Sequence, residues 1–234
     1  MIVNKKLKLA IILPAHNEEK VLGDVLELLP KKLPGIENIY TIVTDDGSSD
    51  NTFSVAKKYA DYALRHKINL GAGSATLTGI KFAKLKLKPD IYVTLDSDGQ
   101  HDPRDISNLI KPIVDRRVAI TIGSRMLNAK GMPTIKKITN KMANLITFIF
   151  SGIWVSDSQS GFRAYSKDAI NLINIKTTGY EYCTEVFSEI SNHHLKFIEI
   201  PIKVIYSDHS KSKGQSVANS INILIKLITN NLTR

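Results

Sequence analysis

The feature that most constrains this chain is a rhythm. Five short apolar runs of β type, Leu9–Leu13, Tyr40–Val43, Tyr62–Leu64, Ile91–Leu95 and Val118–Ile122, alternate with stretches of helical spacing at Glu18–Leu29, Thr52–Tyr59, Ala72–Leu87 and Asp105–Val114. Repeated strand–helix units of this length predict an α/β fold, with a mostly parallel central sheet and helices on both faces. Ligands of such sheets bind beyond the carboxyl ends of the strands. Each concentrated polar motif of the chain falls at such an end, which argues for a small-molecule site.

A chain of 234 residues is one generous domain, with 43% apolar and 23% charged residues to build an ordinary core and surface. One cysteine, Cys183, excludes an internal disulfide and a cysteine-based zinc site. No apolar run reaches the roughly 18 residues that a spanning helix needs. The basic start followed by Leu9–Leu13 reads as a strand rather than a targeting segment, because Pro14 and acidic residues follow at once.

The charge is unevenly spread. Thirty-two Lys and Arg against 22 Asp and Glu give +10, and no acidic residue interrupts the stretch from Arg116 to Ser156, which holds seven basic ones. Such patches attract phosphate, whether of nucleic acid, lipid or a small molecule. Within that stretch Ile138, Met142, Leu145, Ile146, Ile149 and Ile153 keep helical spacing and run into Phe148, Phe150 and Trp154. A second stripe, Val217, Ile221, Leu224, Ile225 and Ile228, lies near the C-terminus. Either stripe suits packing on a core or lying in a membrane interface.

Five motifs carry chemistry. Pro14-Ala15-His16-Asn17-Glu18-Glu19 follows the first strand, with Asn17 placed to cap the next helix. Asp45-Asp46-Gly47-Ser48-Ser49-Asp50 combines a glycine turn and capping residues with one carboxylate more than capping needs. That carboxylate can accept hydrogen bonds from a nucleobase or ribose. Asp96-Ser97-Asp98-Gly99-Gln100 sets two carboxylates two residues apart, where they repel unless they share a cation such as Mg²⁺ or Mn²⁺. In Asp157-Ser158-Gln159-Ser160-Gly161-Phe162-Arg163 the arginine can pair with a phosphate or with Asp157. Tyr206–Ser216, with Lys211, Lys213 and Gly214, reads as a flexible basic loop.

These motifs, with Gly123-Ser124-Arg125 between the third and fourth, span almost the whole chain in this order. Together they resemble the family 2 glycosyltransferases of the GT-A fold, and most of all the dolichyl-phosphate mannose and glucose synthases. The resemblance implies a catalytic domain over 1–216 and an amphipathic, membrane-interfacial helix over 217–234. It implies that Pro14, Ala15, His16, Glu18, Asp46, Asp96, Ser97, Asp98 and Lys213 bind a nucleotide sugar. Asp96, Asp98 and Gln100 would hold the divalent cation, and Arg125, Lys136 and Asn140 the phosphate of a polyprenyl (dolichyl) acceptor. Asp98, Arg125, Asp157 and Arg163 are the implied catalytic set. Four positions depart from the family pattern: His16 stands where relatives often carry an aromatic residue, Lys136 and Asn140 where they carry Arg and Ser, and His209 near an expected Arg.

The expected reaction is an inverting, metal-dependent transfer of a hexose, mannose favoured, from a nucleotide sugar to a polyprenyl phosphate. GDP-mannose, UDP-glucose and UDP-N-acetylglucosamine are all compatible with the motifs. Displacement at the anomeric carbon builds oxocarbenium character, and the leaving diphosphate builds negative charge that a cation and nearby Lys or Arg stabilise. A lipid monophosphate, with a second pKa near ~6, needs no strong base. A glycan hydroxyl acceptor, the second reading, needs a carboxylate base, for which Asp157 and Glu185 are the candidates. A nucleic-acid-binding protein is the third reading. It predicts aromatics interleaved with basic residues, which are missing, and it leaves the Asp96 and Asp98 carboxylates unexplained. The expected setting is the cytoplasmic side of a membrane, with peripheral attachment. His66, His101, His193 and His194 show no metal spacing and read as surface or core histidines.

Overall fold

The structure, a computed structural model, describes residues 6–129 and 132–205. The expected basic loop at 206–216, with Lys213, and the expected helix at 217–234 lie outside the described residues. Among the described residues seven strands form one sheet: β1 (Leu7–Ala15), β2 (Ile36–Asp45), β3 (Tyr62–Arg65), β4 (Ile91–Thr94), β5 (Ile120–Ser124), β6 (Arg163–Ser166) and β7 (Phe197–Pro201). Their order across the sheet is β3-β2-β1-β4-β6-β5-β7. All pairs are parallel except those of β6, which runs against both β4 and β5.

The helices are α1 (Leu22–Glu27), α2 (Thr52–Tyr59), α3 (Ala72–Phe82), α4 (Ile106–Val114), α5 (Thr134–Ser151), α6 (Lys167–Leu172) and α7 (Tyr182–Asn192). The mostly parallel α/β sheet expected from the rhythm is present. Two helix boundaries shift by about a turn. The stretch expected to be helical from Glu18 begins only at Leu22, because Thr52 and Asp50 side chains accept the backbone N–H groups of Glu18 and Glu19 and hold them in a turn. The helix expected to run to Leu87 widens after Phe82 into a looser π-type turn over Ala83–Leu87.

β1 shows why its sequence is continuously apolar. Leu9, Ile11 and Leu13 face one layer with Leu22, Val25, Ile106 and Leu109, while Ala10 and Ile12 face the other with Ile80, Val186 and Phe187. A strand covered by helices on both faces has no solvent side on which to place polar residues. Burial of each such side chain stabilises the fold by about 1.5–3 kcal/mol.

The reversal of β6 has a consequence for the site. Parallel strands present their carboxyl ends to one edge of the sheet, so the residues after β1, β2, β3, β4 and β5 gather there. Because β6 is antiparallel, with Arg163 opposite Thr94, it is the residues before it, Asp157–Phe162, that reach the same edge.

α5 is built inside out. Its buried residues are Asn140, Ala143, Asn144, Thr147 and Ser151. Ile135, Ile138, Met142, Leu145, Phe148 and Ile149 are exposed, as is Trp154 just beyond, the last two at 67% and 65%. The buried polar stripe is matched to backbone: Asn144 donates to the Ser156 carbonyl and accepts from Ser158 N–H. Thus the helix docks through hydrogen bonds and turns its apolar stripe outward, rather than packing that stripe on the core.

Candidate active site

A cleft of about 550 Å³ lies at the carboxyl edge of the sheet, a volume in the range of small-molecule sites. Its walls are the strand-end motifs, and these hold one another in place. Asp46 N–H donates to the Ala15 carbonyl, and His16 Nδ1 donates to the Asp46 carbonyl at 2.9 Å. Asn17 does not cap α1; its side-chain oxygen accepts from Ser49 N–H and so ties the first motif to the second. Ser97 Oγ donates to the Pro14 carbonyl, tying the third motif to the first. Gly47 has φ +68°, and a side chain there would collide with the backbone of Ile68 and Asn69.

Pro14, Ala15, His16, Glu18, Asp46, Asp96, Ser97, Asp98 and Gln100 all line the cleft. So do Arg125, Lys136 and Asn140, which the same expectation assigned to an acceptor phosphate. Asp46 differs from the expectation in detail. Its carboxylate accepts from Leu70 N–H at 2.9 Å, Gly71 N–H at 2.8 Å and His66 Nδ1 at 2.7 Å. It therefore clamps the loop after β3 rather than offering an empty carboxylate to a base, and that loop brings Asn69 and Gly71 to the cleft wall.

Asp96 and Asp98 stand together. Partial burial raises the pKa of both; for Asp96 it outweighs the pull of Arg125 and a Gly161 backbone hydrogen bond, and for Asp98 the neighbouring Asp96 adds to it. Two carboxylates that resist ionising beside each other are the donor chemistry that a small hard dication relieves. Among the described residues no group of three or more His, Cys, Asp or Glu side chains converges on a metal position. The chain would thus contribute these two carboxylates and leave other positions to phosphate or water oxygens, the usual arrangement for Mg²⁺. The Gln100 side-chain amide lies against Asp98 Oδ2, 2.8 Å from Nε2, so it stands beside the carboxylate of the expected cation site.

Two members of the expected catalytic set are corrected. Asp157 is fully buried and is not among the residues lining the cleft. Its carboxylate takes two bonds of 2.7 Å from the Arg125 guanidinium, one from Arg125 N–H and one from Asn140 Nδ2. Burial alone would push its pKa up, but Arg125 and these hydrogen bonds more than offset it and hold the carboxyl below the usual range. It aims Arg125 and Asn140 at the cleft and is a poor proton acceptor. Arg163 is also fully buried. It pairs with neither a phosphate position nor Asp157, but donates to the carbonyls of Ser158, Ser160 and Cys183 and lies over the Phe187 ring. Glu185, the other base candidate, accepts from Lys176 N–H, Thr177 N–H and Thr177 Oγ1 and likewise serves the backbone.

The cleft wall formed by Arg125 and Lys136 is positively charged. Lys136 and Arg125 both line the cleft, and burial together with Arg125 lowers the Lys136 pKa. The motifs did not reveal Asn69, Gly71, Tyr180, Tyr182 or Cys183 as cleft residues. Asn69 and Gly71 follow a strand, so the strand-end rule was the available signal; the approach of α7 left none.

The sequence profile of glycosyl transferase family 2 matches residues 10–173. The UDP-N-acetylglucosamine–dolichyl-phosphate N-acetylglucosaminyltransferase of Methanococcus voltae is 37% identical over 240 residues, covering 93% of this chain and 94% of its own. The dolichol-phosphate mannosyltransferase of Pyrococcus furiosus is 27% identical, over 95% of this chain and 64% of that one. Glucosyl-3-phosphoglycerate synthase from Mycobacterium tuberculosis, solved with Mn²⁺, UDP and phosphoglyceric acid, shares the fold with a TM-score of 0.69 at 17% identity, over 95% of this chain and 78% of that one. With the profile matched over most of its length, and a relative above one-third identity across nearly all of it, this chain belongs to glycosyl transferase family 2.

Proposed function

We propose that the chain transfers a hexose, with inversion, from a nucleoside-diphosphate sugar to a polyprenyl phosphate. The observation that carries this reading is the acceptor side of the cleft. Lys136 and Arg125 line it, and both carboxylates expected to serve a hydroxyl acceptor are engaged elsewhere. A phosphate acceptor needs that arrangement, since it arrives already deprotonated; a hydroxyl acceptor does not suit it. Pro14, Ala15, Glu18 and Ser97 would border the nucleoside, and the Asp46-held loop would complete its pocket. Arg125, fixed by Asp157, and Lys136 would orient the acceptor phosphate behind the anomeric carbon and offset its charge. A divalent cation bound at Asp96 and Asp98 would supply charge neutralisation for the leaving diphosphate. Lys213 is proposed to assist at the diphosphate.

The donor proposed first is UDP-N-acetylglucosamine rather than the expected mannose donor. The Methanococcus voltae relative named for that donor is 37% identical, against 27% for the mannosyltransferase. The outward apolar face of α5, beside the cationic side of the cleft, supports an isoprenoid acceptor and peripheral docking on the cytoplasmic face of a membrane. Among the described residues no helix is long and apolar enough to cross one.

The test incubates the protein with labelled UDP-N-acetylglucosamine, UDP-glucose or GDP-mannose, dolichyl phosphate and Mg²⁺ or Mn²⁺, and follows label into the organic phase. Metal-dependent lipid label from UDP-N-acetylglucosamine, absent in Asp98→Ala, is expected. Label from GDP-mannose alone would reverse the donor assignment, and no lipid label from any donor would reject the acceptor.

A further inference from the structure

His101 follows the acidic loop directly and is 2% exposed. Its ring stacks on Phe162, with centroids 5.5 Å apart. Among the described residues neither ring nitrogen has a hydrogen-bond partner. A buried polar group left this way costs about 1–3 kcal/mol, so an unpaired imidazole directly after the cleft residues Asp98 and Gln100 calls for an account. Asp96 lies close by: Nδ1 stands 3.6 Å from Asp96 Oδ2, just beyond hydrogen-bond distance.

The His101 side of that gap is held. The backbone at His101 is bridged to Val204, and the Gln100 carbonyl accepts from Ile205 N–H, so the main chain is anchored. Phe162 covers one ring face. The Asp96 side chain is 37% exposed, lines the cleft and takes a backbone hydrogen bond from Gly161. Its other flank rests on Gly161, where any Cβ would overlap the carboxylate. Gly161 and Phe162 thus form a seat, one residue for Asp96 and the next for His101.

We propose that His101 is a positioning residue for the cation site: its Nδ1–H closes onto Asp96 Oδ2 as Asp96 engages a divalent cation, fixing the carboxylate's orientation. The proposal rests on the reading of Asp96 and Asp98 as cation ligands. Carboxylates that bind metals are commonly held by a hydrogen bond from behind, and losing that partner typically weakens metal affinity by about 10–100-fold.

The experiment measures Mn²⁺ affinity of the full chain without donor and with UDP, from the electron paramagnetic resonance signal of unbound Mn²⁺. His101→Leu removes the donor, His101→Gln retains an N–H, and Asp98→Ala reports on the cation site itself. Expected are a loss of about 10-fold or more in His101→Leu, an affinity for His101→Gln clearly nearer the wild type, and no specific binding in Asp98→Ala. A purely structural histidine would lower the melting temperature of both variants without separating their Mn²⁺ affinities. Wild-type affinity in His101→Leu, or equal loss in Leu and Gln, would overturn the positioning role while Asp98→Ala keeps the cation site standing. Wild-type affinity in Asp98→Ala would instead reject the cation reading. Should His101→Leu fail to fold, His101→Phe is read against His101→Gln by the same criteria.

Discussion

Asp157 takes two bonds from the Arg125 guanidinium, a third from its backbone and a fourth from Asn140. Breaking one partner of a buried pair strands the other, which typically costs about 3–5 kcal/mol. Arg125→Gln should therefore lower unfolding stability by roughly that amount, and Asp157→Asn in the same background should recover part of it, as read from urea denaturation. The pair also sets an acid limit. The folded pKa of Asp157 lies below the unfolded value of about 3.9. Its stabilisation is thus present above that value and lost as pH falls through the folded pKa. Asp157→Asn should show a flatter fall in urea midpoint below about pH 4 than the wild type. Gly161→Ala belongs to the same scale. A Cβ there would displace the Asp96 carboxylate, and a misplacement near an ångström can cost about 100-fold in rate. Label transfer should fall by that order while the circular dichroism spectrum is retained.

Among the elements, α5 reverses the usual sensitivities of an amphipathic helix. Ile149→Asn on its outward face should change stability by only about 0.5 kcal/mol. Asn144→Leu on its buried face should cost about 1–3 kcal/mol, because it leaves Ser158 N–H without its acceptor. Denaturant melts of the two variants check this order, and the opposite order would mean that the apolar stripe is covered. Liposome flotation should show the reverse, with Ile149→Asn weakening binding and Asn144→Leu not. The spacing of Ile138, Met142, Leu145 and Ile149 was legible as a helix. Which face it buries was not, since periodicity marks a stripe without saying what meets it.

For the whole molecule, a net charge of +10 bears on how the protein reaches a surface. Attraction of basic residues to anionic lipid is worth about 1 kcal/mol per residue at the surface and is screened beyond roughly 10 Å at 0.1 M salt. Binding to anionic vesicles should weaken several-fold between 0.1 and 0.5 M NaCl, whereas binding to neutral vesicles through apolar contact should hardly change. Sedimentation with vesicles of each composition separates the two contributions.

What the chain's residues determined by themselves is local and repetitive: strand–helix alternation, a β1 apolar on both faces, and polar motifs after Leu13, Val43 and Leu95. These follow from backbone periodicity and from the need to bury apolar side chains, which act over a few residues. Tertiary structure alone decided what each polar group faces. Asp157 and Arg163 read alike as site residues, yet one clasps Arg125 and the other carries backbone carbonyls, because antiparallel β6 brings the segment before it to the cleft and draws Arg163 into the sheet. His101 reads as an ordinary histidine until Phe162, brought beside it by antiparallel β6, stacks on its ring. Such partnerships depend on which strands become neighbours, and no spacing along the chain encodes that.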